Sequence, residues 1–290
     1  MQYTIENKYA TYYPPKLQLL KWVGNKQRVA IEITRCFPAE YVRYFEPFLG
    51  SGAIMATLAP HAGIGSDTFK PLMEIWLMLK NRPKQLIDWY SSRRNRIGRE
   101  TKEQVYESVR KSYNKSPNGP DFLFLSRACY GGIVRFRKED GYMSTPCGAH
   151  TPISVEGFAR RVEEWKARLK NVDFAVRDYR EAFAEAKSGD LIYCDPPYSD
   201  SQSILYGAQG FQLNDLLKEI ESAKERGVKV ALSIDGQKKS GTYTVGLKIP
   251  SGLFKQEVYI NCGQSMLRRF QLEGKILSDE NVADRLLLTY

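Results

Sequence analysis

The sequence predicts an α/β protein: a nucleotide-type sheet carrying an inserted, mostly helical basic module with a β-hairpin. Three observations predict it. A strand, a glycine turn, a helix and a second strand follow one another over residues 41–80, which is the opening of a β-α-β-α sheet. The same rhythm returns at VDFAVRD, LIYCD and VKVALSID. Between the first turn and LIYCD lie about 140 residues, more than the intervening β-α units require, and that interval is rich in Lys and Arg. A chain of 290 residues accommodates one such core plus an inserted module.

In order, YVRYFE (41–46) alternates as a strand and runs into the turn PFLGSG and the small apolar helix AIMATLAP. AGIGSD (62–67) is a short strand ending in an acid, and PLMEIWLMLKN is a helix. From Lys80 the chain turns basic and helical in period through KNRPKQLIDWYSSRRNRIGRETKEQVYESVRKSYNKS. DFLFLSRACYGG is an apolar helix closed by two glycines, and IVRFRKEDGYMSTPCG is two alternating runs around Glu-Asp-Gly, a basic hairpin. VEGFARRVEEWKARLK is a charged helix, and EVYINC and DRLLLTY supply late strands at an antiparallel end of the sheet. The expected division is 1–79 with 171–290 for the sheet, and 80–170 for the insertion.

Composition narrows the function. With 42% hydrophobic and 26% charged residues the chain is an ordinary globular one, neither disordered, nor a disulfide miniprotein, nor a repeat array. The 43 basic residues outnumber the 33 acidic ones, a net charge of +10 that suits a polyanionic partner. Five Cys (36, 129, 147, 194, 262) and two His (61, 150) form no CxxC, HExxH or close cluster, so reduced buried thiols and no metal are expected. No secretory leader and no apolar run near 18 residues is read, so the expectation is a soluble, cytoplasmic protein without a membrane partner.

Three motifs carry chemistry. Phe45-Glu46-Pro47-Phe48-Leu49-Gly50-Ser51-Gly52 sets two glycines just after a strand, where the missing Cβ lets a ligand approach the backbone. Asp67 ends the second strand, where nucleotide sheets place an acid for ribose hydroxyls; a lone Asp there is more often a helix cap, and its pairing with the glycine turn favours the ribose reading. Asp195-Pro196-Pro197-Tyr198 follows the apolar strand Leu191–Cys194. Its prolines lack N–H donors and hold φ nearly constant, so the carboxylate and adjacent carbonyls form a stiff set of acceptors that suits an amine. An exocyclic base amine is a weak nucleophile because its lone pair is delocalised. Accepting both N–H bonds, at the Asp195 carboxylate and the Pro196 carbonyl, favours a pyramidal nitrogen, with Tyr198 stacking on the base.

These motifs, with Lys21-Trp22-Val23-Gly24-Asn25-Lys26 upstream and in this order, resemble the Dam-type (D12 class, class α) adenine-N6-specific DNA methyltransferases, from about Lys21 to the end of the chain. The resemblance implies a Rossmann-like S-adenosylmethionine-dependent methyltransferase fold with an inserted target-recognition domain, and site-specific methylation of adenine N6 in double-stranded DNA with the base flipped out. It implies cofactor contacts from Trp22, Lys26, Phe45, Glu46, Gly50, Gly52, Asp67, Asp178 and Asp195, and catalysis at Asp195, Pro196, Pro197 and Tyr198. The physical readings agree: the Trp22 ring can pack on the cofactor, Glu46 can pair with its ammonium, and Asp178 can accept from its adenine amino group. One departure is Asn25, where the family has a second glycine; Asn tolerates positive φ, so the turn is expected to survive.

Flipping a base costs a few kcal/mol, which DNA contacts must offset. Arg93, Arg94, Arg96 and Arg99 are expected to grip phosphates, and Tyr130, Arg135, Arg137 and Lys138 belong to the hairpin that would meet the bases. Arg135 matches a base-reading Arg of family members that modify GATC, whereas Tyr130-Gly131-Gly132 lacks their Asn, so GATC is one candidate sequence among several. An RNA base amine as substrate, or a catalytically inactive DNA-binding homologue, are the competing readings. A cognate restriction endonuclease as partner is left open, and a monomer on DNA is expected.

Overall fold

The computed structural model describes residues 13–197, 211–235, 249–264 and 281–290. Seven strands form one sheet: β1 Tyr44–Glu46, β2 Gly63–Asp67, β3 Val172–Val176, β4 Leu191–Cys194, β5 Lys229–Asp235, β6 Gln256–Gln264 and β7 Asn281–Leu288. Their order is β3-β2-β1-β4-β5-β7-β6. β1 to β5 pair in parallel, and β7 runs antiparallel to both neighbours. This is a Rossmann-like α/β sheet with an antiparallel end. The first expected strand is shorter than its alternating pattern, since only Tyr44–Glu46 of residues 41–46 is strand.

Alternation along the strands divides the core in two. Tyr44, Leu191, Tyr193, Ala231, Leu286 and Leu288 join the apolar layer under the inserted helices. Phe45, Ile192, Cys194, Val230, Leu232 and Leu287, the residues between them, face the other layer. Side chains of period two on a sheet buried on both faces produce this division. Cys194 is fully buried in that second layer, as expected of a packing thiol.

α1 (Ala30–Arg35), α2 (Ala53–Leu58) and α3 (Lys70–Asn81) cover the first face, followed by α4 (Pro83–Arg94), α5 (Lys102–Lys115), α6 (Gly119–Ala128) and α7 (Val155–Arg168). α8 (Tyr179–Glu185) and α9 (Leu213–Glu225) cover the second. The basic stretch folds as the expected helices because its sequence supplies local stops and starts. Thr101 and Gln104 make a reciprocal capping box before α5, and the Asn118 side chain accepts from Asp121 N–H at the start of α6. No helix of the described residues is long and apolar enough to cross a membrane.

The expected hairpin is present only as a narrow ladder. Its bridges are Cys129 opposite Cys147 and Phe136 opposite Met143, with Arg137 N–H donating to Tyr142 O at 2.9 Å. A short helical turn at Tyr130–Gly132, with Gly131 at φ 66°, precedes it. Two bridges are too few to make regular strands, and the arms are held from below: Asn114 accepts from Met143 N–H and donates to Met143 O.

Candidate active site

The chain order from β1 runs outward to β2 and β3, then returns on the other side at β4. A crevice opens where that order reverses, outside the carboxyl ends of β1 and β4. Glu46 ends β1 and Asp195 follows β4, so two distant motifs arrive side by side.

The turn after β1 needs its glycines. Gly50 has φ 46°, and a Cβ there would lie 2.8 Å from Trp22 Nε1. Its carbonyl accepts from Trp76 Nε1 at 3.2 Å, and its N–H donates to Asp67 Oδ2 at 3.3 Å. The other Asp67 oxygen accepts from Phe69 N–H at 3.0 Å. Asp67 thereby ties the glycine turn to the start of α3, and burial raises its pKa.

The cleft has a volume of about 350 Å³. Trp22, Lys26, Glu46, Gly50, Asp67, Asp178, Asp195, Pro196 and Pro197 all line it, drawn from five separate stretches of the sequence. Phe48, Phe69, Tyr179 and Phe211 complete its apolar walls. Phe48 stacks on Tyr179 at 5.3 Å between ring centroids. Phe48 belongs to the glycine-turn motif, whereas Phe69, Tyr179 and Phe211 belong to none of the three motifs.

Charge is concentrated on one side of the cleft. Lys26 Nζ lies 3.0 Å from Asp195 Oδ1 and 3.3 Å from Asp284 Oδ2, with all three side chains largely buried. Burial alone would lower the Lys26 pKa, but the two carboxylates outweigh it and hold the ammonium charged. Asp284 comes from β7, in a run that reads only as a strand, and no local signal marks it. Glu46 is buried and accepts from the Tyr44 hydroxyl at 3.0 Å. Desolvation above all, with the nearby Asp195 charge, pushes its pKa up to about 8.

A family model described as D12 class N6 adenine-specific DNA methyltransferase matches residues 22–251. The chain belongs to this family. It is an adenine-specific DNA methyltransferase. A DNA adenine methylase of Vibrio cholerae is 30% identical over 227 residues, covering 74% of this chain and 79% of its own. The type II methyltransferase M1.LlaDCHI of Lactococcus lactis is 27% identical over 234 residues, 73% of this chain and 79% of that one. The type II methyltransferase M.MjaIII of Methanocaldococcus jannaschii is 28% identical over 242 residues, 74% and 82% of the two chains.

The methyltransferase places several expected residues elsewhere. Phe45 points into the opposite core layer, fully buried under the Arg43 guanidinium, because it follows Tyr44 on a strand. Gly52 does not line the cleft; at φ 61° it caps α2 and shapes the turn. Asp178 lines the cleft and also caps α8, accepting from Arg180 N–H at 2.9 Å. At the Asn25 departure the positive φ belongs to Gly24, at 75°, while the Asn25 side chain accepts from Gln27 N–H at 2.7 Å. Tyr198 lies outside the described residues.

Three of the four arginines expected on phosphates are turned to the protein itself. Arg93 pairs with Asp121 at 2.7 Å, a carboxylate only 4% exposed, and Arg94 donates to the carbonyls of Pro152 and Ile153. Arg96 forks onto Glu100 at 2.8 and 2.9 Å. An arginine drawn toward the interior must find its acceptors there, because an unpaired buried charge is costly. Arg99, Arg135 and Lys138 remain exposed, Tyr130 is 48% exposed, and Arg137 pairs with Asp140 while lying over the Tyr142 ring.

Proposed function

We propose that this methyltransferase transfers the methyl group of S-adenosylmethionine to N6 of an adenine flipped out of double-stranded DNA, at the cleft between Glu46 and Asp195. The observation that carries the reading is that the donor-free Asp195-Pro196-Pro197 ledge and the Gly50 turn line one cleft, on the same side of the sheet.

The residues present suit that cofactor. The Gly50 turn leaves a cradle that a Cβ would fill, the Trp22 ring stands against it, and the buried Glu46 and half-buried Asp67 carboxyls are able to meet an ammonium and hydroxyls. When bound, S-adenosylmethionine supplies an electrophilic methyl on a cationic sulfur. Asp195 and the Pro196 carbonyl accept the two N–H bonds of the target amine and hold its lone pair toward the methyl. Lys26 fixes the Asp195 carboxylate, ionised and oriented, through its 3.0 Å contact. Asp195 then takes up the proton that the nitrogen sheds. The prolines, with no N–H to offer, leave the amine no competing donor.

Residues 80–170 act in this reading as the target-recognition domain. Arg135 presents a forked donor to guanine O6 and N7, Lys138 and Arg137 stand beside it, and Tyr130 lies at the hairpin foot.

Labelled methyl transfer to duplex DNA, compared with RNA of matching sequence, tests the assignment. Transfer to N6 of adenine in duplex DNA is expected, abolished in Asp195→Ala with cofactor binding retained. Transfer to RNA alone, or an undiminished rate in Asp195→Ala, refutes it.

A further inference from the structure

Arginines paired with acids run through this protein: Arg43 with Glu185 and Asp190, Arg93 with Asp121, Arg177 with Glu185, Arg285 with Glu257. Arg127 near the end of α6 and Arg161 within α7 depart from that habit. Both NH1 groups donate to one oxygen, the carbonyl of Gln18, at 3.2 and 3.0 Å, and Arg127 also reaches the carbonyl of Leu19 at 2.7 Å. Two guanidinium groups therefore crowd one neutral acceptor. The Nε atoms of both are buried and have no hydrogen-bond partner.

Lys21 adds a third positive charge. Burial lowers its pKa, and repulsion from Arg127 and Arg161 lowers it further. Burial and then Arg161 bring Arg127 down to about 10. Among the described residues no carboxylate acts on any of the three; the one opposing group is the Tyr90 phenol, which hydrogen-bonds with Arg127 and faces Arg161. Three cations met only by neutral carbonyls and a phenol, in a partly desolvated place, are unfavourable until an anion joins them.

Their position says which anion. None of the three lines the cleft, so the cluster is separate from the cofactor region. Lys21 is exposed and adjoins Trp22, which does line it, and a Cβ on Gly132 at the hairpin foot would meet the Lys21 side chain at 3.2–3.5 Å. The cluster thus sits between the cleft and the hairpin, along the path that a strand of DNA must follow to present a base to one and a groove to the other. We propose that Lys21, Arg127 and Arg161 form a receptor for a backbone phosphate of the substrate DNA. The proposal rests on duplex DNA as substrate. The contact reads no base; it fixes the distance between the flipped nucleotide and the recognition hairpin.

The test is duplex DNA binding between 50 and 200 mM salt by the wild-type protein, Arg161→Gln and, as a surface change that leaves the α7 packing untouched, Lys21→Gln. Each variant is expected to bind more weakly, with the slope of log affinity against log salt reduced by about 0.9. The deficit then shrinks about threefold across that salt range. Discrimination between the preferred and an altered sequence stays unchanged, and the DNA-free melting temperature of Arg161→Gln is not lowered, because a repelled charge has been removed. Wild-type slope and affinity in both variants overturn the site, as does a weakening in Arg161→Gln that comes with a lowered melting temperature and no effect of Lys21→Gln. Wild-type protein without salt-dependent affinity for duplex DNA overturns the substrate reading itself, and the site with it.

Discussion

Replacing Lys26 by methionine keeps the unbranched apolar stem but for its last atom and removes the positive charge held between Asp195 and Asp284. At contacts of 3.0 and 3.3 Å, each attraction amounts to about 5 kcal/mol in an effective dielectric near 20. Desolvation of the ammonium offsets much of this, and the net loss from leaving the carboxylates buried and unpaired is about 3–5 kcal/mol. The carboxylates of the variant can recover part of it by binding a proton, whereas the wild-type pair is served by an ammonium that stays charged. The deficit in urea unfolding is therefore expected to be larger at pH 8 than at pH 6. Methyl transfer should show the same cause: an ionised Asp195 is the acceptor for the amine, so the acid limb of the rate profile moves to higher pH in Lys26→Met. Asp284→Asn in the Lys26→Met background restores part of the stability by removing one of the competing charges. Equal stability of Lys26→Met and wild type at both pH values, with superimposable rate profiles, refutes the argument.

Three further outcomes follow from the same structure. Glu46 holds its proton up to about pH 8 in the cofactor-free protein, mainly because it is desolvated, so pairing with a cofactor ammonium must expel that proton. Cofactor affinity is then expected to fall about tenfold for each pH unit below 8 and to level off above it, measured by calorimetry in buffers of differing ionisation enthalpy. By the same sign, a folded-state pKa above the unfolded value costs stability as pH rises toward 8, so Glu46→Gln should be more stable than wild type at pH 8 and bind cofactor more weakly. Arg93→Ala strands the buried Asp121 carboxylate, and a loss of about 3–5 kcal/mol in unfolding is expected with no change in the salt slope of DNA binding. Arg135→Ala should lose about 1–3 kcal/mol of discrimination at one base pair; equal weakening on every sequence would make it a phosphate contact instead.

The strands were legible because each is a short apolar run bounded by turn residues, and β2, β3, β4 and β5 lie within AGIGSD, VDFAVRD, LIYCD and VKVALSID, each a residue or two shorter than the run. The cleft was legible through residues whose type is demanded locally: glycine at a positive φ, proline without a donor, an acid at a strand end. The arginines were not. Arg93 and Arg135 are alike in a basic stretch, and only the arrival of Asp121, 28 positions on, turns the first inward. The hairpin was expected from two short alternating runs and forms with two isolated bridges, because alternation reports which side chains face the core but not how many residues the opposing arm can pair.

Periodicity, glycine and proline are properties of neighbouring residues, so the primary structure alone established the α/β class and the motifs that identify the methyltransferase. Strand order, the meeting of Glu46 with Asp195, the reach of Lys26 to Asp284 on β7, and the unshared charges of Lys21, Arg127 and Arg161 depend on segments far apart in the chain. Electrostatic energy depends on distance in space and on exposure to water, and neither exists until the sheet and helices have closed around those groups.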